Sequence, residues 1–210
     1  MAGVPTFRGR DLQLELLDPG SVPLFRLFWR PKGEWAAPPA ARRTLRVDPP
    51  PGHQSEFAIL YTADSLPGVA AECRVLSIDP HDRYSVNRAT ASTYQVARYA
   101  FDAPALFIPI DGRNTHTFDL TASSRRFDGD AYLPYQEVSL ELFHRFGGLA
   151  HGLSWTSFHR NQLGRVYAIW HHRKSALRLS RPAAPFNKLD TDPEWVAFLA
   201  TWPTIDLIGP

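Results

Sequence analysis

The chain has 210 residues, with 23 lysines and arginines against 21 aspartates and glutamates, so its formal charge is only +2. At 44% hydrophobic and 21% charged residues it reads as a globular chain able to bury a core, most simply in one domain. A lone cysteine, Cys73, excludes an internal disulfide framework and any zinc site built on two or more cysteines, and the near-neutral balance argues against electrostatic nucleic-acid binding.

The 19 prolines are about 9% of the chain against a usual ~5%, which predicts short elements and fixed turns rather than a helical bundle. The start, Met1 to Arg8, lacks the apolar run of a signal peptide, and no stretch approaches the ~18 apolar residues of a membrane span. The expectation is a cytoplasmic protein with no membrane contact. Its organisation reads as a lead-in over 1–20, a domain over 21–180 and an extension over 181–210 that carries a short amphipathic helix.

In chain order, Leu24 to Trp29 has the length and aromatic content of a strand. Residues 31–52 hold six prolines and read as a long loop of the kind that is functional or mobile. Phe57 to Thr62 reads as a buried strand running into a helix over about 66–76. Asp64 or Ser65 caps that helix, Pro67 suits its first turn, and Leu66, Val69, Ala70 and Cys73 fall at helical spacing with Glu72 on the flank of their stripe. Strands are expected over 92–99 and 104–110, then a polar loop over 111–130. A helix follows Pro134, with Val138, Leu142 and Phe146 in register and Gly147-Gly148 as the stop.

Leu153 to Phe158 and Val166 to Trp170 read as strands joined by turn chemistry at Asn161 to Gly164. Arg181 to Pro185 reads as a linker. A last helix begins at Asp192-Pro193 with Trp195, Phe198, Leu199 and Trp202 on one face, a stripe that suits either the core or docking of a second subunit or antitoxin. Strands and helices mix without βαβ alternation, so the fold class is α+β.

Dinucleotide-fold, P-loop, H-E-x-x-H and G-x-S-x-G signatures are all missing. Glu141 and His144 have the i, i+3 spacing of carboxylate-bridged metal sites, but no second such pair exists and no metal is expected. Arg160 and Arg165 with Trp155 and Phe158 make a distant case for a basic aromatic face on single-stranded nucleic acid, and none is expected to bind.

The informative residues are dispersed. Arg26 sits inside the strand Leu24-Phe25-Arg26, and Arg46 precedes Val47-Asp48-Pro49-Pro50. Tyr61 lies in Leu60-Tyr61-Thr62-Ala63, and Glu72 ends Val69-Ala70-Ala71-Glu72. Ser157 closes His151-Gly152-Leu153-Ser154-Trp155-Thr156-Ser157, with Arg160-Asn161 beyond it. In this order the segments resemble the RES-domain family, the toxin half of Xre–RES toxin–antitoxin modules, over about residues 21–175. Leu45, Val47, Asp48 and His151 depart from the family pattern, and Arg42 and Arg43 are alternatives to Arg46 as its second arginine.

The resemblance implies an α+β, ADP-ribosyltransferase-like fold with a mixed sheet core and flanking helices. It implies NAD as substrate rather than cofactor, with inorganic phosphate or water as acceptor, or transfer of ADP-ribose to a protein. An Xre-type antitoxin is the implied partner, and a homodimer is left open. A non-catalytic interaction protein that kept the fold is the alternative from another class.

The chemistry suits these residue types. Nicotinamide leaves neutral, and the transition state is oxocarbenium-like, so a carboxylate beside the ribose stabilises it; Glu72 is the candidate. Arg26 and Arg46 have the planar fork that binds phosphate bidentately. Tyr61 can stack on nicotinamide or bond a ribose, and Ser157 can bond a ribose hydroxyl or phosphate oxygen. The N-terminus of the helix at 66–76 offers N–H groups to phosphate.

Overall fold

A computed structural model describes residues 12–79, 81, 83–120, 132–157, 163–202 and 205–208. The main sheet has seven strands. In chain order they are β1 (Glu15–Leu17), β2 (Leu24–Phe28), β3 (Ile59–Ala63), β6 (Gln95–Tyr99), β7 (Ala105–Pro109), β8 (Gly152–Thr156) and β9 (Arg165–Trp170). Their spatial order is β1-β7-β8-β9-β3-β2-β6, antiparallel except for the parallel β7–β8 pair. A smaller sheet joins β4 (Leu76–Ile78), β5 (Tyr84–Asn87) and β10 (Asp206–Ile208) in the order β10-β5-β4. Five α-helices, α1 (Leu66–Glu72), α2 (Arg88–Ala91), α3 (Asn114–Thr117), α4 (Leu133–Phe146) and α5 (Pro193–Thr201), and three 3-10 turns, Ala40–Arg42, His171–Arg173 and Leu189–Thr191, complete the described elements. The fold is the expected mixed α+β arrangement of a central sheet with flanking helices.

Alternation along the strands sends apolar side chains to both faces of the main sheet. On one face Tyr135, Val138 and Leu142 of α4 pack over Leu153, Trp155, Ala168 and Trp170. Next to them Leu66, Val69 and Ala70 of α1 share a core with Phe25, Leu27, Val86 of the small sheet and Trp195 of α5. On the other face Leu24, Leu60, Tyr99, Phe107 and Ile169 are covered by Leu177 and Leu179. Gly152 is required where β8 crosses β9, because a Cβ there would lie 2.1 Å from the Ala168 carbonyl oxygen.

Two ladders flank a weak seam. β2 makes five register pairs with β6, and β3 makes five with β9, but β2 and β3 share a single pair, Phe25 with Ala63. The sheet therefore splays between β2 and β3, which opens a crevice in its middle.

The 31–52 segment is a wall and not a free loop. Arg43 gathers it by donating to the carbonyls of Pro38, Gln54 and Phe57 at 2.7–3.0 Å. The buried polar side chains of α4 fix its end, with Gln136 donating to Leu45 O and Ser139 to Val47 O. These bonds explain why a proline-rich stretch without strand or α-helix still buries Arg46, Val47 and Asp48.

Two further expectations are corrected. The first helix ends at Glu72, not near 76, because Arg74 turns the chain at φ +57 and the strand β4 follows. Residues 111–130 contain α3, which Asn114 anchors by donating to Pro109 O and Gln13 O. On the C-terminal stripe Trp195 is buried and Phe198 packs beside it, whereas Trp202 stays partly exposed against Tyr84. No helix among the described residues is long and apolar enough to cross a membrane.

Candidate active site

The crevice over the β2–β3 splay is a cavity of about 270 Å³. Arg26, Arg46, Tyr61 and Glu72 all line it, so four of the five residues picked from the sequence meet in one place. The fifth, Ser157, stands behind Glu72.

Arg26 comes from the middle of β2. Its Nε donates to Gly33 O and a terminal nitrogen to Tyr61 O, each at 3.0 Å. The second bond ties β2 to β3 where the ladder between them is missing. Both acceptors are neutral carbonyls, and among the described residues no carboxylate is paired with this guanidinium. Burial therefore works against its charge and moves it below the ordinary arginine value, with Arg30 adding to the effect. A half-buried cation with only neutral partners is a costly feature unless an anion or water completes it.

Arg46 is delivered by the proline-rich wall, and its guanidinium lies 5.0 Å from the ring centres of both Tyr132 and Tyr135. These rings fix its direction and stabilise the cation through their faces. Of the two alternatives, Arg43 is consumed by backbone carbonyls and Arg42 is exposed at the edge of the cavity. Arg46 is the buried one, at 6% exposure.

Glu72 is the last residue of α1. A carboxylate at a helix C-terminus opposes the macrodipole, so nothing in helix stability asks for it there. Its Oε1 accepts a 2.9 Å hydrogen bond from Ser157 Oγ, across 85 positions of sequence. Ser157 is itself buried just past β8, and its N–H donates to Gly164 O. The bond fixes the carboxylate on the cavity wall without neutralising it.

Tyr61 presents its ring to the cavity, edge-on to Trp155 at 6.5 Å, and its hydroxyl donates to Asp48 Oδ1 at 3.1 Å. Burial, reinforced by the Asp48 charge, raises the phenol well above its ordinary value. Asp48 is 2% exposed and is also raised, chiefly by burial, although the Leu45 N–H and the Tyr61 hydroxyl both oppose the shift. Cys73 lines the cavity beside Glu72; burial pushes its thiol up to about 12, so it stays a neutral thiol.

Asp48, Trp155 and Tyr132 are wall residues not picked as site residues from the sequence. Only Asp48 carried a signal, a carboxylate set against three prolines that bonds back to the Leu45 N–H in a turn. The helix N-terminus does not serve the site. Ser65 caps it by accepting from Gly68 N–H, and the cavity meets α1 at its opposite end. The nucleic-acid face does not assemble, since Trp155 is buried and Arg165 is held by Glu15 and Asp111; Phe158 and Arg160 lie outside the described residues, as does Asn161. Glu141 pairs with Arg145, and His144 with Glu56, so the i, i+3 pair does not converge.

A cavity lined by a half-buried arginine, a buried arginine and an anchored carboxylate suits a substrate that carries phosphate and develops positive charge elsewhere.

The RES domain family model matches residues 23–193. Among curated proteins no sequence matches the chain. Among solved structures, a chain of the Mycobacterium tuberculosis MbcT–MbcA toxin–antitoxin complex is similar at a TM-score of 0.52 and 13% identity, covering 82% of this chain and 87% of that one. At that identity the likeness is one of fold.

Proposed function

The chain belongs to the RES-domain family, and from that premise we propose that it consumes NAD by breaking the nicotinamide–ribose bond. The observation that carries this reading is that Glu72, held by Ser157, lines one cavity with Arg26 and Arg46.

In this reading Arg26 and Arg46 hold the pyrophosphate, the Tyr61 ring and Trp155 bound the nicotinamide–ribose half, and the Glu72 carboxylate lies beside ribose C1′. The C1′–N1 bond breaks with its electron pair going to the pyridinium nitrogen, so nicotinamide leaves neutral and needs no acid. Positive charge develops on C1′ and the ring oxygen. A carboxylate about 4 Å from that charge, at an effective dielectric of ~20, is worth about 4 kcal/mol. That is on the order of 10³ in rate. An acceptor oxygen then bonds to C1′. Water gives ADP-ribose and a proton, and inorganic phosphate gives the ribose 1-phosphate ester of ADP-ribose.

The solved relative belongs to a toxin–antitoxin complex. We propose that the chain is the toxin of such a pair, held in check by an Xre-type antitoxin; the family and this likeness support the reading. The test is to incubate the purified protein and its Glu72→Gln variant with NAD, with and without inorganic phosphate, and to identify products by mass spectrometry. Free nicotinamide from the native protein, with turnover lowered 10²–10³-fold by Glu72→Gln (the order of magnitude for losing one preorganised electrostatic group), is expected. Phosphate dependence would assign phosphorolysis, and label on protein would assign ADP-ribose transfer. Unchanged NAD loss in Glu72→Gln, or no NAD loss and no NAD binding, would overturn the proposal.

A further inference from the structure

Helix α1 closes in a conformation that its own sequence does not favour. Val75 N–H donates to Ala70 O and Arg74 N–H to Ala71 O, both at 2.9 Å, the paired bonds of a Schellman closure. That closure places Arg74 at φ +57, in the left-handed region where glycine is usual and a Cβ crowds the following carbonyl. The rest of the helix obeys its local rules, with Ser65 as N-cap, Pro67 in the first turn and alanines at 70 and 71. An arginine at the one position that calls for glycine is therefore a departure that invites a functional cause.

The second observation is where the turn aims the residue. Arg74 lines the same cavity as Arg26, Arg46 and Glu72, and unlike Arg26 and Arg46 it stands at the exposed rim. It follows Glu72 by two residues, so the left-handed turn that ends the helix at the carboxylate is followed at once by an arginine that lines the same cavity. A right-handed continuation of α1 would carry residue 74 on around the helix axis instead.

We infer that Arg74 is a third phosphate-binding arginine at the mouth of the site, placed there by the left-handed turn. The inference rests on the NAD reading, which supplies two sources of phosphate: the dinucleotide's own pyrophosphate and inorganic phosphate as acceptor. A rim guanidinium suits either, and its contribution is screened by salt.

The experiment uses the full chain with Arg74→Gly and Arg74→Lys. Calorimetry measures binding of NAD, inorganic phosphate and the phosphate-free nicotinamide riboside, and thermal melting is recorded beside it. Because glycine relieves the left-handed turn, Arg74→Gly is expected to melt at or above the native temperature. It should weaken NAD or phosphate by about tenfold, the equivalent of ~1.4 kcal/mol. Riboside binding should not change, Arg74→Lys should keep most of the affinity, and the difference should shrink at high salt. The probe that weakens identifies which phosphate Arg74 meets. Native affinity of Arg74→Gly for both phosphate probes would overturn the inference and leave the NAD reading standing. So would an equal loss on all three probes with a lowered melting temperature, which marks a structural role. A native protein that binds neither NAD nor phosphate would remove both.

Discussion

Two arginines of the same sheet, Arg165 and Arg26, show opposite uses of one residue type. Arg165, at the start of β9, pairs with Glu15 at 2.8 Å and Asp111 at 3.3 Å and also donates to Thr156 and Ser154. Burial works against its charge, but Asp111 and Glu15 outweigh burial and raise it above the ordinary value. Arg26, in the centre of β2, is given only two carbonyls and is lowered by burial. The first arginine is finished within the fold and fastens β1 and the 111 turn to the β8–β9 pair. The second holds the β2 and β3 strands at their splay while its charge remains available to an anion. The proposal drawn from this contrast is that an arginine of the sheet serves the fold where the fold supplies its countercharge and serves a ligand where it does not.

The contrast can be broken in decreasing steps. Arg165→Met should be the most damaging to stability, because Glu15 and Asp111 would keep half-buried charges without their cation. The expected cost is about 2–4 kcal/mol, the lower side of the range for breaking a buried pair since both carboxylates retain some solvent. In a chain of this size that lowers the melting temperature by roughly 5–15 °C, and scanning calorimetry reads it directly. A loss under 2 °C would remove Arg165 as the structural member of the pair.

Ser157→Ala comes next. It removes the donor that fixes Glu72, so kcat for NAD loss should fall about tenfold with KM little changed, the effect of one hydrogen bond worth ~1–1.5 kcal/mol. A KM effect alone would instead put Ser157 on the substrate.

A third test is pH, which acts only on the acid side. His171, which follows β9, is pushed down to about 3, mainly by burial and then by Lys174 and Arg26. Its folded value lies below its unfolded value of ~6.5. Its contribution to stability is therefore present above pH ~6.5 and is lost as pH falls toward 3. His171→Phe should flatten the acid side of a melting-temperature profile, and an unaltered slope would assign acid unfolding to other groups.

Much of this fold was legible. β2, β3, β9 and the starts of α1, α4 and α5 carry apolar runs, caps or prolines long enough to read. β1, β4, β5 and β10 are three or four residues each and hold no period to detect. The end of α1 misled because its turn uses Arg74 where glycine would have announced it. For the site, Glu72 stood off the apolar stripe of its helix and Arg26 stood out among aromatics, both visible as anomalies. Their meeting was not visible, because the 85-residue step from Glu72 to Ser157 is made by sheet topology. Local sequence favoured Arg46 but kept Arg42 and Arg43 as alternatives; the carbonyls around Arg43, the exposure of Arg42 and the rings around Arg46 separate them.

The central claim is that the Arg26 charge is kept for a phosphate and not for the fold. The most direct test is one variant, Arg26→Met, which keeps the side-chain length and removes the charge, measured for NAD affinity by calorimetry and for melting temperature on the same sample. The account predicts NAD affinity weakened by about 30-fold or more, the equivalent of ~2 kcal/mol for a charge-assisted contact. It predicts a melting temperature within a few degrees of the native value, because removing a half-buried cation without a countercharge offsets the loss of its two carbonyl bonds. Native affinity combined with a collapse in melting temperature would contradict it and would make Arg26, like Arg165, a residue of the fold.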